Sequence, residues 1–168
     1  MHWFVHGGAG VLMANLLPEH PALALGASCL LHYPLDWLPH KDPGIATCTT
    51  RWQSRETQEF LTVSLPDMAA TAFLGWCVPT MVAAMPFWTT LGCVVASVAP
   101  DIIDGLAKIS NLTVLQWHRR FHDWIHYDHY TRPVPSFLNL IIQLGLSALT
   151  AALTASVIIN GGNRVAGP

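Results

Sequence analysis

Charged side chains are scarce in this sequence. Only 11% of its 168 residues are Asp, Glu, Lys or Arg, and 52% are hydrophobic, whereas a soluble domain is usually about 25% charged. No charged residue occurs between residues 68 and 100. A chain of this composition has too few polar side chains to cover itself in water, so it is not expected to be an ordinary soluble domain.

Three further absences narrow the function. The formal net charge is −2, so the chain lacks the excess of Lys and Arg with which proteins bind nucleic acid. The four cysteines form no CxxC pair, which favours free buried thiols. No Lys or Arg precedes Lys41, so the N-terminus lacks the charged region of a secretory signal.

Long apolar runs predict helices at residues 3–17, 22–38, 66–84, 87–107 and 136–159. A helix needs about 20 residues to cross a bilayer, so the last run is the strongest transmembrane candidate and the first two are short. A backbone in lipid must satisfy its own hydrogen bonds, and no alternating strand pattern occurs. We therefore predict an all-α fold, a single membrane-embedded domain over residues 1–168 that forms an integral membrane bundle of about five apolar helices.

Two segments are more polar than these runs. Residues 41–64 are predicted to form a polar loop, with a short surface helix at 52–61. Residues 112–130 have the pattern of an amphipathic helix, and its Trp and Tyr side chains suit the membrane interface.

The distribution of cations predicts the orientation in the membrane. If all five apolar helices cross, one face of the membrane carries Lys41, Arg51, Arg55, Lys108, Arg119, Arg120 and Arg132. The opposite face carries only Arg164. Positive residues collect on the cytoplasmic side, so the crowded face is predicted to be cytoplasmic in a plasma or inner membrane, with membrane lipids as partners.

The most informative motif lies at the end of the second apolar run. His32, Asp36 and His40 follow one another at intervals of four, and residues so spaced share a helix face. An imidazole and a carboxylate in this arrangement suit one divalent metal ion. The alternatives are that Asp36 only orients a buried His32, and that His40 caps the helix end.

Further candidate ligands occur on the same predicted side of the membrane. Asp101 and Asp104 are spaced i, i+3; the alternative is solvation at a helix end, with Asp104 paired to Lys108. His118 and His122 share one face of the amphipathic helix with His126 and His129; the alternative is a belt of interfacial side chains. His6 follows His2 by four residues near the N-terminus.

Mixed His and Asp ligands favour zinc, with manganese or iron as alternatives, over calcium or magnesium. More than four candidate ligands would allow a two-metal site, which acidifies a bound water and clamps a phosphoryl group. In such a site Asp36 would belong to the catalytic centre as a ligand. Asp104 or Asp123 would act as the general base.

Three segments resemble a known family when they are read in order: LLHYPLDWLPHKD, SVAPDIIDG and QWHRRFHDWIH. They are similar to the membrane-bound metal-dependent hydrolases, which are phospholipase C/D-like proteins, and the resemblance covers roughly residues 1–130. It implies a set of six metal ligands: His32, Asp36, His40, Asp101, His118 and His122.

A more remote resemblance is to zinc-dependent bacterial phospholipases C and fungal single-strand nucleases. There the chain departs from the pattern, because the gap to His40 is shorter, His118-x-x-x-His122 replaces HxxxE, and Met1 precedes His2. Nuclease activity is therefore not implied.

These observations predict a membrane-embedded metal-dependent hydrolase of a phosphoester such as a lipid headgroup. A di-iron oxygenase is disfavoured because no HxxHH doublet occurs. A lipid-phosphate alcohol transferase is suggested by Asp101-x-x-Asp104-Gly105, but the downstream part of its motif is absent. The remaining alternative is a small non-catalytic subunit of a larger membrane complex, whose histidines are structural or bind metal or haem.

Overall fold

The computed structural model describes residues 2–38, 40, 58, 60–82, 85–110, 112–125 and 135–165. Over these residues the chain is helical and contains no strand, which confirms the predicted all-α class. The six α-helices of the described residues are α1 (Trp3–Leu16), α2 (Pro21–Asp36), α3 (Leu65–Met81), α4 (Phe87–Ile109), α5 (Thr113–Ile125) and α6 (Ser136–Val165).

Prolines mark several helix boundaries. Pro21 is the first residue of α2, where its missing N–H has no partner to lose and its fixed φ suits a helix. Pro86 directly precedes α4. Pro34 lies inside α2, two residues before the helix ends at Asp36.

The segment before α3 is more helical than predicted. Residues Phe60–Ser64 form a π-helical turn that leads into α3, so residues 60–64 belong to a helix rather than to the predicted polar loop 41–64. Three of the five residues are apolar, which suits the apolar helix that follows. Nearly all the remainder of that loop, with most of the surface helix predicted at 52–61, lies outside the described residues.

Helix α1 lies at the centre of the bundle, where it contacts α2, α3, α4 and α6. Small residues let it approach α4 closely: a Cβ atom added at Gly10 would lie 2.6 Å from the carbonyl oxygen of Cys93. Cys93 is a free thiol, as predicted. The buried apolar core surrounds this contact and consists of Val11, Ala14, Ala24, Leu74, Val78, Val82, Met85, Cys93, Val94 and Val157.

A carboxylate from another helix caps the start of α1. The backbone N–H groups of Trp3 and Phe4 both donate to the Asp67 carboxylate on α3, the second over 3.0 Å. The first N–H groups of a helix have no partner within the helix, and a negative charge near them is stabilising. Asp67 therefore fixes the position of α1, and with it the position of His6 one turn further along.

Two helices are long and apolar enough to cross a membrane, over Phe87–Ala107 in α4 and Phe137–Asn160 in α6. Only 17% of the second segment is buried inside the protein, so its apolar surface faces outward. The other three apolar helices are shorter than the ~20 residues of a full crossing: α1 has 14 residues, α2 has 16 and α3 has 17. That all five apolar helices cross stays a prediction.

Helix α5 corresponds to the predicted amphipathic helix at 112–130. It runs over Thr113–Ile125, and the rest of the predicted segment, with His126 and His129, lies outside the described residues. Trp117 and Trp124 are exposed, whereas His122 is buried against the bundle. The helix thus presents aromatic rings outward and one imidazole inward.

Candidate metal centre

Four side chains from three helices converge at one end of the bundle. His32 and Asp36 come from the last turns of α2, Asp101 from α4 and His122 from α5. Each residue offers one nitrogen or oxygen atom, and these four atoms all lie within 4.8 Å of one another. Such a group could hold a metal ion, as the sequence predicted for these four residues.

Helical spacing explains the pair from α2. His32 and Asp36 are four residues apart, which places them on the same face of the helix. The Nε2 atom of His32 lies 2.7 Å from Oδ2 of Asp36, and both side chains are fully buried. Pro34 lies between them but is exposed, so it does not separate the two polar groups.

Four of the distances among the ligand atoms are close to those around a tetrahedral ion, whereas the 2.7 Å between Nε2 of His32 and Oδ2 of Asp36 is a hydrogen-bond distance. Nε2 of His32 lies 3.2 Å from Nε2 of His122 and 3.5 Å from Oδ1 of Asp101. Nε2 of His122 lies 3.4 Å from Oδ2 of Asp36 and 3.4 Å from Oδ1 of Asp101. Ligand atoms bound to one zinc ion at about 2.0–2.1 Å at the corners of a tetrahedron are about 3.3–3.4 Å apart.

The other ring nitrogen of His32 is held by the backbone of α4. Nδ1–H donates to the carbonyl oxygen of Ser97 over 2.9 Å. An ion bound at Nε2 would displace the proton that this atom donates to Asp36. The bond to Ser97 would then keep the remaining proton on Nδ1 and the Nε2 lone pair directed at the site. Metal-binding histidines usually have such a partner, which fixes the tautomer and the ring orientation.

The Ser97 contribution was missed in the sequence because any residue type supplies a backbone carbonyl.

Two carboxylates set the charge of His122. Burial acts to lower its pKa, but the hydrogen bonds and negative charges of Asp101 and Asp36 together outweigh burial and raise the pKa to about 9. Without a metal, His122 is therefore positively charged near neutral pH. An ion that uses Nε2 must displace this proton.

Two more buried histidines face Asp36. The Nε2 atom of His6 in α1 lies 3.0 Å from Oδ1 of Asp36, and the Nε2 atom of His40 lies 4.0 Å from the same oxygen. His40 also donates from Nδ1 to the carbonyl oxygen of Leu38 over 2.6 Å. The structure thus brings both predicted residues to the edge of the four-residue group.

The other predicted residues lie further out. His118 is one helical turn from His122, and its Nε2 is 3.4 Å from the hydroxyl of Tyr33. Burial, followed by the positive charge of His122, lowers the pKa of His118. Asp104 is buried one turn beyond Asp101 on α4. Asp123 is partly exposed and pairs with Arg119 at 3.6 Å.

The fold and the site define an all-helical protein with a buried His/Asp group that could hold a metal ion. No protein-family model matches the chain, and neither the curated proteins nor the solved structures contain a match. The resemblance to membrane-bound metal-dependent hydrolases therefore stays a prediction that rests on the three motifs.

Proposed function

We propose that this protein is a membrane-embedded metal-dependent hydrolase that acts on a phosphoester, such as a lipid headgroup. The observation that carries the proposal is the convergence of His32, Asp36, Asp101 and His122, whose ligand atoms all lie within 4.8 Å of one another. Two imidazoles and two carboxylates favour zinc, with manganese or iron as alternatives.

The donor set fits a divalent ion in charge as well as in geometry. The two carboxylates balance its two positive charges, and the Ser97 carbonyl keeps the Nε2 lone pair of His32 directed at the site. When bound there, a divalent ion supplies Lewis acidity and lowers the pKa of a water molecule to near neutrality.

Substrate would approach from the side of Asp101. The Asp101 side chain is 20% exposed, whereas the side chains of His32 and Asp36 are fully buried and that of His122 is 6% exposed. Asp104, one turn along α4, is the preferred general base, since Asp123 pairs with Arg119. His118 would line the same approach, one turn before His122 on α5.

A lipid substrate is supported by the surroundings of the site. Asp101 lies within the candidate membrane segment Phe87–Ala107, and α5 exposes Trp117 and Trp124, which suit the membrane interface. In this proposal all five apolar helices cross a plasma or inner membrane. The metal centre then lies on the cytoplasmic side, where most Lys and Arg residues collect.

Asp36→Asn tests the proposal in detergent-purified protein. We expect the variant to bind Zn²⁺ more than about 100-fold less tightly, since changes beside a metal ligand already cost about 10–100-fold. Hydrolysis of a panel of phosphomonoesters, phosphodiesters and phospholipids should fall with metal content. Glu19→Gln is the matched control, because Glu19 is an exposed carboxylate in the turn between α1 and α2. This variant should keep the zinc affinity and the hydrolysis rate of wild type.

Two results would overturn the proposal. One is wild-type protein that binds no stoichiometric metal after loading with Zn²⁺, Mn²⁺ or Fe²⁺. The other is an Asp36→Asn variant that keeps full metal content and full turnover.

Burial of the site supports a second candidate, a non-catalytic membrane subunit. A cleft of about 410 Å³ lies between α1, α3 and α6, and none of the four metal-site residues lines it. In this case the ion would tie α2, α4 and α5 together, and the protein would act within a larger membrane complex. Stoichiometric metal with no turnover, together with co-purification of a complex, would favour this candidate.

A further inference from the structure

We propose that the site holds two divalent ions, the second bound by His6, His40 and Oδ1 of Asp36. Asp36 would then bridge the two ions. The inference deepens the proposed function and rests on it for the first ion, at His32, Asp36, Asp101 and His122, but it does not depend on hydrolysis.

The two oxygens of Asp36 face different histidines. Oδ2 lies 2.7 Å from Nε2 of His32 and 3.4 Å from Nε2 of His122. Oδ1 lies 3.0 Å from Nε2 of His6 and 4.0 Å from Nε2 of His40. A carboxylate that serves a single ion through Oδ2 leaves the second pair of imidazoles without a ligand role, whereas a bridging carboxylate uses both pairs.

His6 directs one ring nitrogen at Asp36. Its side chain is fully buried, and its Nε2 atom lies 3.0 Å from Oδ1 of Asp36. This is the orientation that a metal ligand needs. The Nδ1 atom has no hydrogen-bond partner among the described residues, so His6, unlike His32 and His40, lacks a contact that fixes its tautomer.

His40 is held in the same way as His32. Its Nδ1–H donates to the Leu38 carbonyl oxygen over 2.6 Å, as that of His32 donates to the Ser97 carbonyl over 2.9 Å. With the proton on Nδ1, the neutral ring presents the Nε2 lone pair toward Asp36. Backbone carbonyls commonly orient metal-binding imidazoles by this contact.

The rings of His6 and His32 lie side by side but are directed at different oxygens. They stack with their centroids 4.2 Å apart and their planes inclined by 24°. Nε2 of His6 faces Oδ1 of Asp36 and Nε2 of His32 faces Oδ2, so each imidazole would serve a different ion.

Zinc stoichiometry tests the second position. Chelator-treated protein in detergent is dialysed against Zn²⁺, and bound metal is measured by elemental analysis. We expect two equivalents in wild type and one in each of His6→Asn and His40→Asn. His20→Asn is the matched control, because His20 is exposed at the start of α2, and it should keep two equivalents.

Manganese loading gives a second readout, and its wild-type measurement does not depend on the variants. Electron paramagnetic resonance of wild type with two equivalents of Mn²⁺ should show exchange coupling, which His6→Asn and His40→Asn convert to the signal of an isolated ion. Wild type that saturates at one equivalent overturns the second position and leaves the first intact. Two equivalents that persist in both variants also overturn it, whereas no binding at all removes the proposed function as well.

Discussion

Asp36 is the side chain that the buried histidines share. Its Oδ2 atom lies 2.7 Å from Nε2 of His32, four residues earlier on the same face of α2. Its Oδ1 atom lies 4.0 Å from Nε2 of His40, which belongs to the chain after α2.

The titration of His122 gives a residue-scale prediction. Its pKa is about 9 in the metal-free fold and about 6.5 in an unfolded chain. The charged ring therefore contributes stability that is complete below about pH 6.5 and is lost as pH rises through about 9. Metal binding requires the neutral ring, so zinc affinity should rise over the same interval, by up to tenfold per pH unit for one released proton.

Thermal unfolding at a series of pH values measures both trends, once with a chelator and once with buffered Zn²⁺. The metal-free protein should lose stability above neutral pH while the shift caused by Zn²⁺ grows. His122→Gln should weaken both trends, and His20→Gln should leave them unchanged. A metal-free protein that becomes more stable between about pH 6.5 and 9 would contradict the assignment of charge to His122.

At the scale of elements, the position of α1 depends on one close contact with α4. A methyl group at Gly10 would meet the Cys93 carbonyl oxygen at 2.6 Å and the Val94 Cα at 2.8 Å. Backbone atoms cannot yield as a flexible side chain would, so Gly10→Ala should destabilise the protein by about 1–3 kcal/mol.

Gly26→Ala is the matched control, because no atom lies within 4 Å of the added Cβ in α2. Replacing a helical glycine at such an open position should be neutral or stabilise by about 0.5–1 kcal/mol. Unfolding in detergent under the same conditions compares the two variants. Equal stabilities would show that α1 and α4 are less closely packed than described.

Helix existence was easier to predict than helix ends. Apolar runs predicted α1, α2, α3, α4 and α6, because uninterrupted hydrophobic sequence in this composition has little alternative to a helix. The π-helical turn at Phe60–Ser64 was assigned to a loop, since its Thr and Ser residues resemble the polar sequence before it. Helix α6 runs to Val165, beyond the predicted end at residue 159. The prediction ended the helix before its Gly and Asn residues, which have low helix propensity but are tolerated in this helix.

For the whole molecule, the prediction concerns the membrane. Helix α6 exposes a largely apolar surface that includes Phe137, Leu140, Leu144 and Ile159. Exposed apolar area of this extent needs lipid or a protein partner to cover it. We expect full-length protein to stay in the membrane pellet after alkaline carbonate extraction, and to leave it only with detergent.

Truncation within the same experiment tests whether α4 crosses the membrane without α6. A chain that ends before residue 135 lacks α6 but keeps the candidate segment of α4, so it should also stay in the pellet if α4 crosses the membrane. Release of the full-length chain by carbonate would contradict membrane insertion. It would favour a soluble bundle whose apolar surface is covered by a protein partner.

Hydrophobic length and residue spacing act locally along the chain, so they were enough to predict the helical class and the candidate ligands. Which of these candidates meet depends on how the helices pack. Packing of α1, α2, α4 and α5 at one end of the bundle gathers His32, Asp36, Asp101 and His122, with His6 and His40 beside them. It leaves Asp123 with Arg119, because side chains on one helix can point to different surroundings, and the contacts between helices decide which of them are buried.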